Sequence, residues 1–147
     1  MVAPTLRFSP APPLHLWTDG SHWFSRRLGF GWVAVAADDE RLGEARGPVP
    51  DDGSRNFASE VWAIFNALEW AYAEGYRFAE VHTDLASMPI HLRRRSRHES
   101  WHVVRLFDWL AAHPELKVVI RTTDGPNPWH ERAHDLAREG AEMAMSD

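Results

Sequence analysis

No cysteine occurs among the 147 residues. That excludes disulfides, thiolate metal sites and a cysteine nucleophile, and it fits a reducing cytoplasm. Lysine is nearly missing as well. Lys117 stands alone and every other basic residue is arginine, a bias assigned to genome composition rather than to function. No apolar run approaches the roughly 20 residues of a bilayer-spanning helix, so no membrane partner is expected. The N-terminus lacks the charged-then-apolar pattern of a signal peptide. Positive charge does not prevail either. The net charge of −5 weighs against nucleic-acid binding, for which a basic balance is the usual footprint. Its distribution weighs the other way: Arg93, Arg94, Arg95 and Arg97 cluster, and Arg26 and Arg27 form a pair. Carboxylates that hold metal also count as negative while serving a polyanionic substrate.

What is present is ordinary for a globular domain: 44% hydrophobic and 25% charged residues, in a length that makes one domain with a real core. Residues 1–13 carry Pro4, Pro10, Pro12 and Pro13 and read as a flexible leader; residues 14–147 read as the domain. Leu14 to Thr18, Gly31 to Ala37 and Arg41 to Arg46 are short strands separated by turn residues. Val61, Ile64, Phe65, Leu68 and Tyr72 recur at helical spacing, with Gly75 as the stop signal. Phe78 to Thr83 is a strand, Ala86 to about Leu92 a helix bent at Pro89, and Trp101 to Ala112 a helix. Leu116 to Ile120 is a fifth strand, and a last helix runs from about Trp129 to Met143. This order describes an α/β fold: a five-stranded mixed sheet, three strands antiparallel and the rest parallel, flanked by helices.

Three acidic residues stand where the pattern changes. Asp19 ends an apolar run, Glu60 opens a helix on its first turn, and Asp84 ends a second apolar run. Taken singly, Asp19-Gly20 reads as a turn, Glu60 as a dipole partner and Asp84 as a helix N-cap. Ligands collect beyond the carboxyl ends of parallel strands, however, and buried carboxylates are costly unless nearby charge compensates them. Three converging there point to a divalent-metal site.

The blocks Trp-Thr-Asp-Gly-Ser (17–21), Asn56 with Ser-Glu-Val-Trp-Ala-Ile-Phe-Asn-Ala-Leu (59–68), Val-His-Thr-Asp (81–84) and Glu-Arg-Ala-His-Asp-Leu-Ala-Arg (131–138) resemble ribonuclease H of type 1. Their order and spacing are specific, and the resemblance covers nearly all of residues 14–143. It implies a ribonuclease H-like fold and endonucleolytic cleavage of the RNA strand of RNA/DNA hybrids by a monomer, with no obligate protein partner. It also implies two divalent ions, Mg²⁺ or Mn²⁺, at the scissile phosphate, and products with 5′-phosphate and 3′-hydroxyl ends. By position, Asp19 resembles the carboxylate that bridges both ions, and Glu60 and Asp84 two further ligands. Asn56 resembles a hybrid-contacting residue. Gly20 and Ser21 resemble residues that offer backbone groups near the cleavage site.

The match departs from the family at its fourth acidic position, which falls on His134, while the family's mobile-loop histidine falls near Asp124. An acid and a histidine are exchanged. Imidazole brings no negative charge and suits softer ions than Mg²⁺, so Mn²⁺ is the expected preference. In a bolder form of this reading Asp124 becomes a ligand and His134 handles protons. The alternative reading is a hybrid- or double-stranded RNA-binding module with a degraded metal site. Trp23 and Phe24, in the loop after Asp19, are expected to pack on the domain rather than stack on bases. Arg93, Arg94 and Arg95 lie where some relatives carry a basic protrusion that grips DNA; a solvated helix end explains them equally well. Finally, His130-Glu131-Arg132-Ala133-His134 fits H-E-x-x-H, the helix of zinc metalloproteases. No distant third ligand accompanies it, so a protease is the remote alternative.

Overall fold

A computed structural model describes residues 11–23, 27–50, 56–84, 101–123 and 125–143, and only the backbone of 22, 23, 56 and 57. Five strands form one sheet: β1 (Leu14–Trp23), β2 (Arg27–Val35), β3 (Arg41–Pro48), β4 (Phe78–Thr83) and β5 (Lys117–Thr122). Among the described residues there are three helices, α1 (Asn56–Ala73), α2 (Trp101–Ala112) and α3 (Pro128–Met143). The sheet order is β3-β2-β1-β4-β5. The β1–β2 and β2–β3 pairs are antiparallel, and β1–β4 and β4–β5 are parallel. This is the expected mixed sheet.

Helices cover both faces. The larger core lies under α1 and α2, where Leu14 and Leu16 of β1 and Val81 of β4 meet Val61, Ile64, Leu68, Val103 and Leu106. The other face carries Val33, Val35, Ala133 and Leu136, with Trp17 and Trp129 packed against them, under α3. Because β2 is sandwiched between α1 and α3, eight of its nine residues are buried. A strand covered on both faces reads as a continuous apolar run rather than an alternation.

β2 starts at Arg27 and not at Gly31, and β5 runs to Thr122 and not to Ile120; two further boundaries that differ from the sequence reading bear on the site. β1 does not stop at Asp19. Its pairing with β2 continues through Asp19↔Gly31 to Trp23↔Arg27, because antiparallel hydrogen bonds extend the strand past the end of its apolar run. Asp19-Gly20 is therefore mid-strand and not a turn. Likewise α1 begins at Asn56, so Glu60 is its fifth residue, and the first turn holds no acidic residue. The dipole-partner explanation of Glu60 fails for that reason. Segments 24–26 and 85–100, residue Asp124 and the leader up to residue 10 lie outside the described residues. With them lie the expectations for Phe24, the helix over 86–92, Arg93, Arg94, Arg95 and Arg97.

The seating of α3 depends on missing side chains. A Cβ built on Gly31 would stand 2.5 Å from Ala133 O and 2.5 Å from Ala137 N, so the helix backbone rests directly on β2. Gly31 is also the register partner of Asp19. The same contact therefore brings the residue after Ala133, His134, toward Asp19. Gly31→Ala is expected to destabilise the fold by about 1–3 kcal/mol through overpacking. For a chain of this length that is roughly 2–4 °C in Tm per kcal/mol. A thermal melt checks it, and an unchanged Tm would mean that the helix is not seated on this glycine.

Candidate active site

The parallel register His15↔Glu80, Leu16↔Val81, Trp17↔His82, continued two residues further, sets Asp19 beside Asp84, the residue that follows β4. Asp19 is only 1% exposed. Its Oδ1 accepts a hydrogen bond from the Gly20 amide at 2.9 Å, and its Oδ2 lies 2.8 Å from His134 Nδ1. Glu60, 7% exposed, approaches from α1 on the other side of β1. That approach needs Gly20, where a Cβ would stand 2.6 Å from the Glu60 amide nitrogen. The Glu60 carboxyl interacts with both Asp19 and Asp84. Ser21 follows on the Asp19 face of β1, half-buried.

The histidines come from α3. Asn127 Oδ1 accepts the Trp129 and His130 amides at 2.8 and 3.3 Å, and Pro128 occupies the first helical position. This cap fixes where the helix starts and thus the phase of its side chains. Residues four apart on a helix are about 5–6 Å apart, close to the roughly 4.8 Å between neighbouring strands. His130 and His134 thus match Asp84 and Asp19. His130 Nε2 stands 3.6 Å from Asp84 Oδ2, an ion-pair rather than a hydrogen-bond distance. A cleft of about 470 Å³ opens here, lined by Asp84, His130, Glu131, His134 and Asp135.

Crowded acids in a dry setting resist ionisation. Burial first, and the Asp84 charge second, raise Asp19 above its ordinary value. Burial, then the charges of Asp19 and Asp84, hold Glu60 well above its own. Asp84 is lowered, chiefly by the neighbouring His130, and His130 is raised, chiefly by Asp84. The two behave as partners whose charged forms support each other.

Divalent ions fit this donor set. Among the described residues Glu60 Oε2 and His130 Nε2 are buried without a hydrogen-bond partner. Ligand atoms of Asp19, Asp84 and His130 lie within 4.8 Å of one another. The chain-wise expectation placed His134 among the ligands and left His130 to the H-E-x-x-H match alone. In the structure a ligand atom of His130 also joins those of Asp19 and Asp84, and His134 Nδ1 is bonded to Asp19 Oδ2. The signal for His130 was present in the i, i+4 spacing, but only the helix phase shows which ring reaches which acid. The two rings address different carboxylates of the sheet, which accounts for their spacing without a protease.

The side chains of Asn56 and Trp23, residue Asp124 and the Arg93–Arg95 stretch lie outside the described residues. No helix among the described residues is long and apolar enough to cross a membrane.

Sheet order, helix placement and an acidic centre where the middle of β1 passes the end of β4 define a protein of the ribonuclease H fold. A family model described as reverse transcriptase-like matches residues 18–113, and the chain belongs to that family. Among solved structures, ribonuclease H1 from the halophilic archaeon Halobacterium salinarum NRC-1 is 23% identical, with a TM-score of 0.71, covering 89% of this chain and 98% of that one. The N-terminal ribonuclease H domain of Rv2228c from Mycobacterium tuberculosis is 18% identical, with a TM-score of 0.73, covering 91% and 96%. LC11-RNase H1, solved in complex with an RNA/DNA hybrid, is 19% identical, with a TM-score of 0.72, covering 90% and 99%. No curated protein sequence matches.

Proposed function

We propose that the protein is an endoribonuclease that cleaves the RNA strand of RNA/DNA hybrids with divalent metal, leaving 5′-phosphate and 3′-hydroxyl ends. The observation that carries this reading is the convergence of Asp19, Glu60 and Asp84 where β1 and β4 lie side by side, with Glu60 Oε2 lacking a protein partner among the described residues. Asp19, Glu60, Asp84 and His130 are the proposed metal-holding residues. When bound, a pair of divalent ions activates the attacking water and stabilises the leaving 3′ oxygen.

The chain's own groups prepare that chemistry. The Gly20 amide and His134 hold Asp19 in one orientation. An ionised carboxylate only accepts, so His134 Nδ1 carries the hydrogen of that contact. Nε2 is then the ring's proton-accepting nitrogen, on a side chain 53% exposed, and we assign it proton transfer at the cleft. Asp124 and the Arg93–Arg95 stretch remain proposed contributors, the first as a substitute acid and the second as a phosphate grip.

A labelled hybrid incubated with Mn²⁺ and with Mg²⁺, with Asp84→Asn as the control for contaminating nuclease, tests the reading. Cleavage lost in the variant supports it. Binding without cleavage supports the second reading, a hybrid-binding module, which the imidazole at the fourth position favours. The nitrogen donor of His130 also gives an expected metal preference. Rates with Mn²⁺ should exceed those with Mg²⁺ at saturating metal, because imidazole suits a transition ion better than a hard oxygen-seeking one. Equal or higher rates with Mg²⁺ would overturn that preference.

A further inference from the structure

A second cluster of ligand-type side chains lies outside the carboxylate centre. β4 alternates, with Ala79, Val81 and Thr83 buried and Glu80 and His82 half-buried on the opposite face. The strand period of two puts Glu80 and His82 on one face, and the register places His15 of β1 beside Glu80. On this face α3 packs on β1, β2 and β3, and the three side chains stay within reach of solvent.

Their geometry is that of a chelate. His15 Nδ1 lies 2.9 Å from His82 Nε2, a ring-to-ring hydrogen bond whose shared proton a metal ion would replace, and 3.8 Å from Glu80 Oε2. One ligand atom from each residue falls within 4.8 Å of the others. Two nitrogens each about 2.0–2.1 Å from one ion stand roughly 2.9–3.4 Å apart across octahedral or tetrahedral angles. The ring nitrogens are therefore already at chelating separation. Neighbours fix the ligands as outer partners do in metal sites. Trp17 stacks on His82 with centroids 4.0 Å apart and planes at 11°. Arg121 Nε pairs with Glu80 Oε1, leaving Oε2 on the His15 side.

We propose that His15, Glu80 and His82 form a site for a late first-row divalent ion, zinc above all, which clips β1 to β4. Two imidazoles and one carboxylate are a zinc-type set, with room for water as a further ligand, and are poorly suited to magnesium. The site lies on the Asp19 face of β1, four residues back along the strand, or about 13 Å at the strand rise. It is separate from the carboxylate centre and does not depend on the nuclease reading.

Isothermal titration with Zn²⁺ on the folded Asp19→Asn/Asp84→Asn protein, which disables the acidic centre, tests it. One zinc per chain is expected. His15→Gln and His82→Gln should each weaken that binding at least about tenfold, and Co²⁺ in place of zinc should give a visible d–d spectrum that both variants lose. Glu80→Gln, which keeps both rings, is the second variant should a histidine substitution disturb folding by circular dichroism. It too should weaken binding and alter the Co²⁺ spectrum. Absence of zinc binding, or binding and spectrum unchanged in the folded variants, would overturn the site. Loss of hybrid cleavage would not bear on it.

Discussion

Asp19→Asn should lower hybrid cleavage by at least about a thousandfold. Charge stabilisation by bound metal is worth several kcal/mol of transition-state energy, and each 1.4 kcal/mol or so is tenfold in rate. Asp19 is the acid placed to hold that metal most rigidly, buried and held by the Gly20 amide and His134 at its two oxygens. The amide keeps the shape and one acceptor but loses the charge. Single-turnover cleavage of a labelled hybrid at saturating Mn²⁺ measures the effect. A loss of less than tenfold would show that the acidic centre is not where the reaction happens. If cleavage falls while hybrid affinity is kept, the substitution has removed chemistry and not substrate binding.

Glu60→Gln should have the opposite effect on stability. In the metal-free protein Glu60 is buried and its charged form is opposed by the Asp19 and Asp84 charges, so its folded pKa lies well above the ordinary 4.5. A group whose pKa rises on folding binds more protons in the native state. Its stabilising contribution is complete below the unfolded value and is lost as pH rises through the folded one. Metal-free wild type should therefore lose stability relative to Glu60→Gln as pH rises above the ordinary 4.5 and through the raised folded value. His82, which burial lowers to about 4, works in the other direction: its contribution is present above 6.5 and is lost as pH falls. It is common to both proteins and cancels in the comparison. At about pH 8 the variant should be more stable by about 1–3 kcal/mol, the scale of an unsatisfied buried polar group. Added Mn²⁺ should raise the wild-type Tm and leave the variant nearly unchanged, because a ligand that binds only the native state stabilises it by mass action. Parallel melts in EDTA and in Mn²⁺ check both parts. Equal pH profiles for the two proteins would mean that Glu60 is not held against its neighbours.

The same carboxylates show how far the linear chain could be read. Its periodicities determined the element types and their order, from the helical stripe of Val61, Ile64 and Leu68 to the alternation of Phe78–Thr83. Composition also excluded thiol chemistry outright. Both are local: a stripe or an alternation depends on residues within a few positions of one another. Where β1 ends was not legible, because hydrogen bonds from β2 carry it through Asp19 to Trp23. Nor was the start of α1 four residues before Glu60. Only the tertiary structure decided which histidine serves which acid. His130 faces Asp84 and His134 is bonded to Asp19 because Asn127 sets the helix phase and Gly31 lets the helix backbone rest on β2. Likewise His15 and His82 become neighbours only through the parallel register of β1 and β4. Register and close backbone approach join residues far apart in the chain, and no local pattern encodes them.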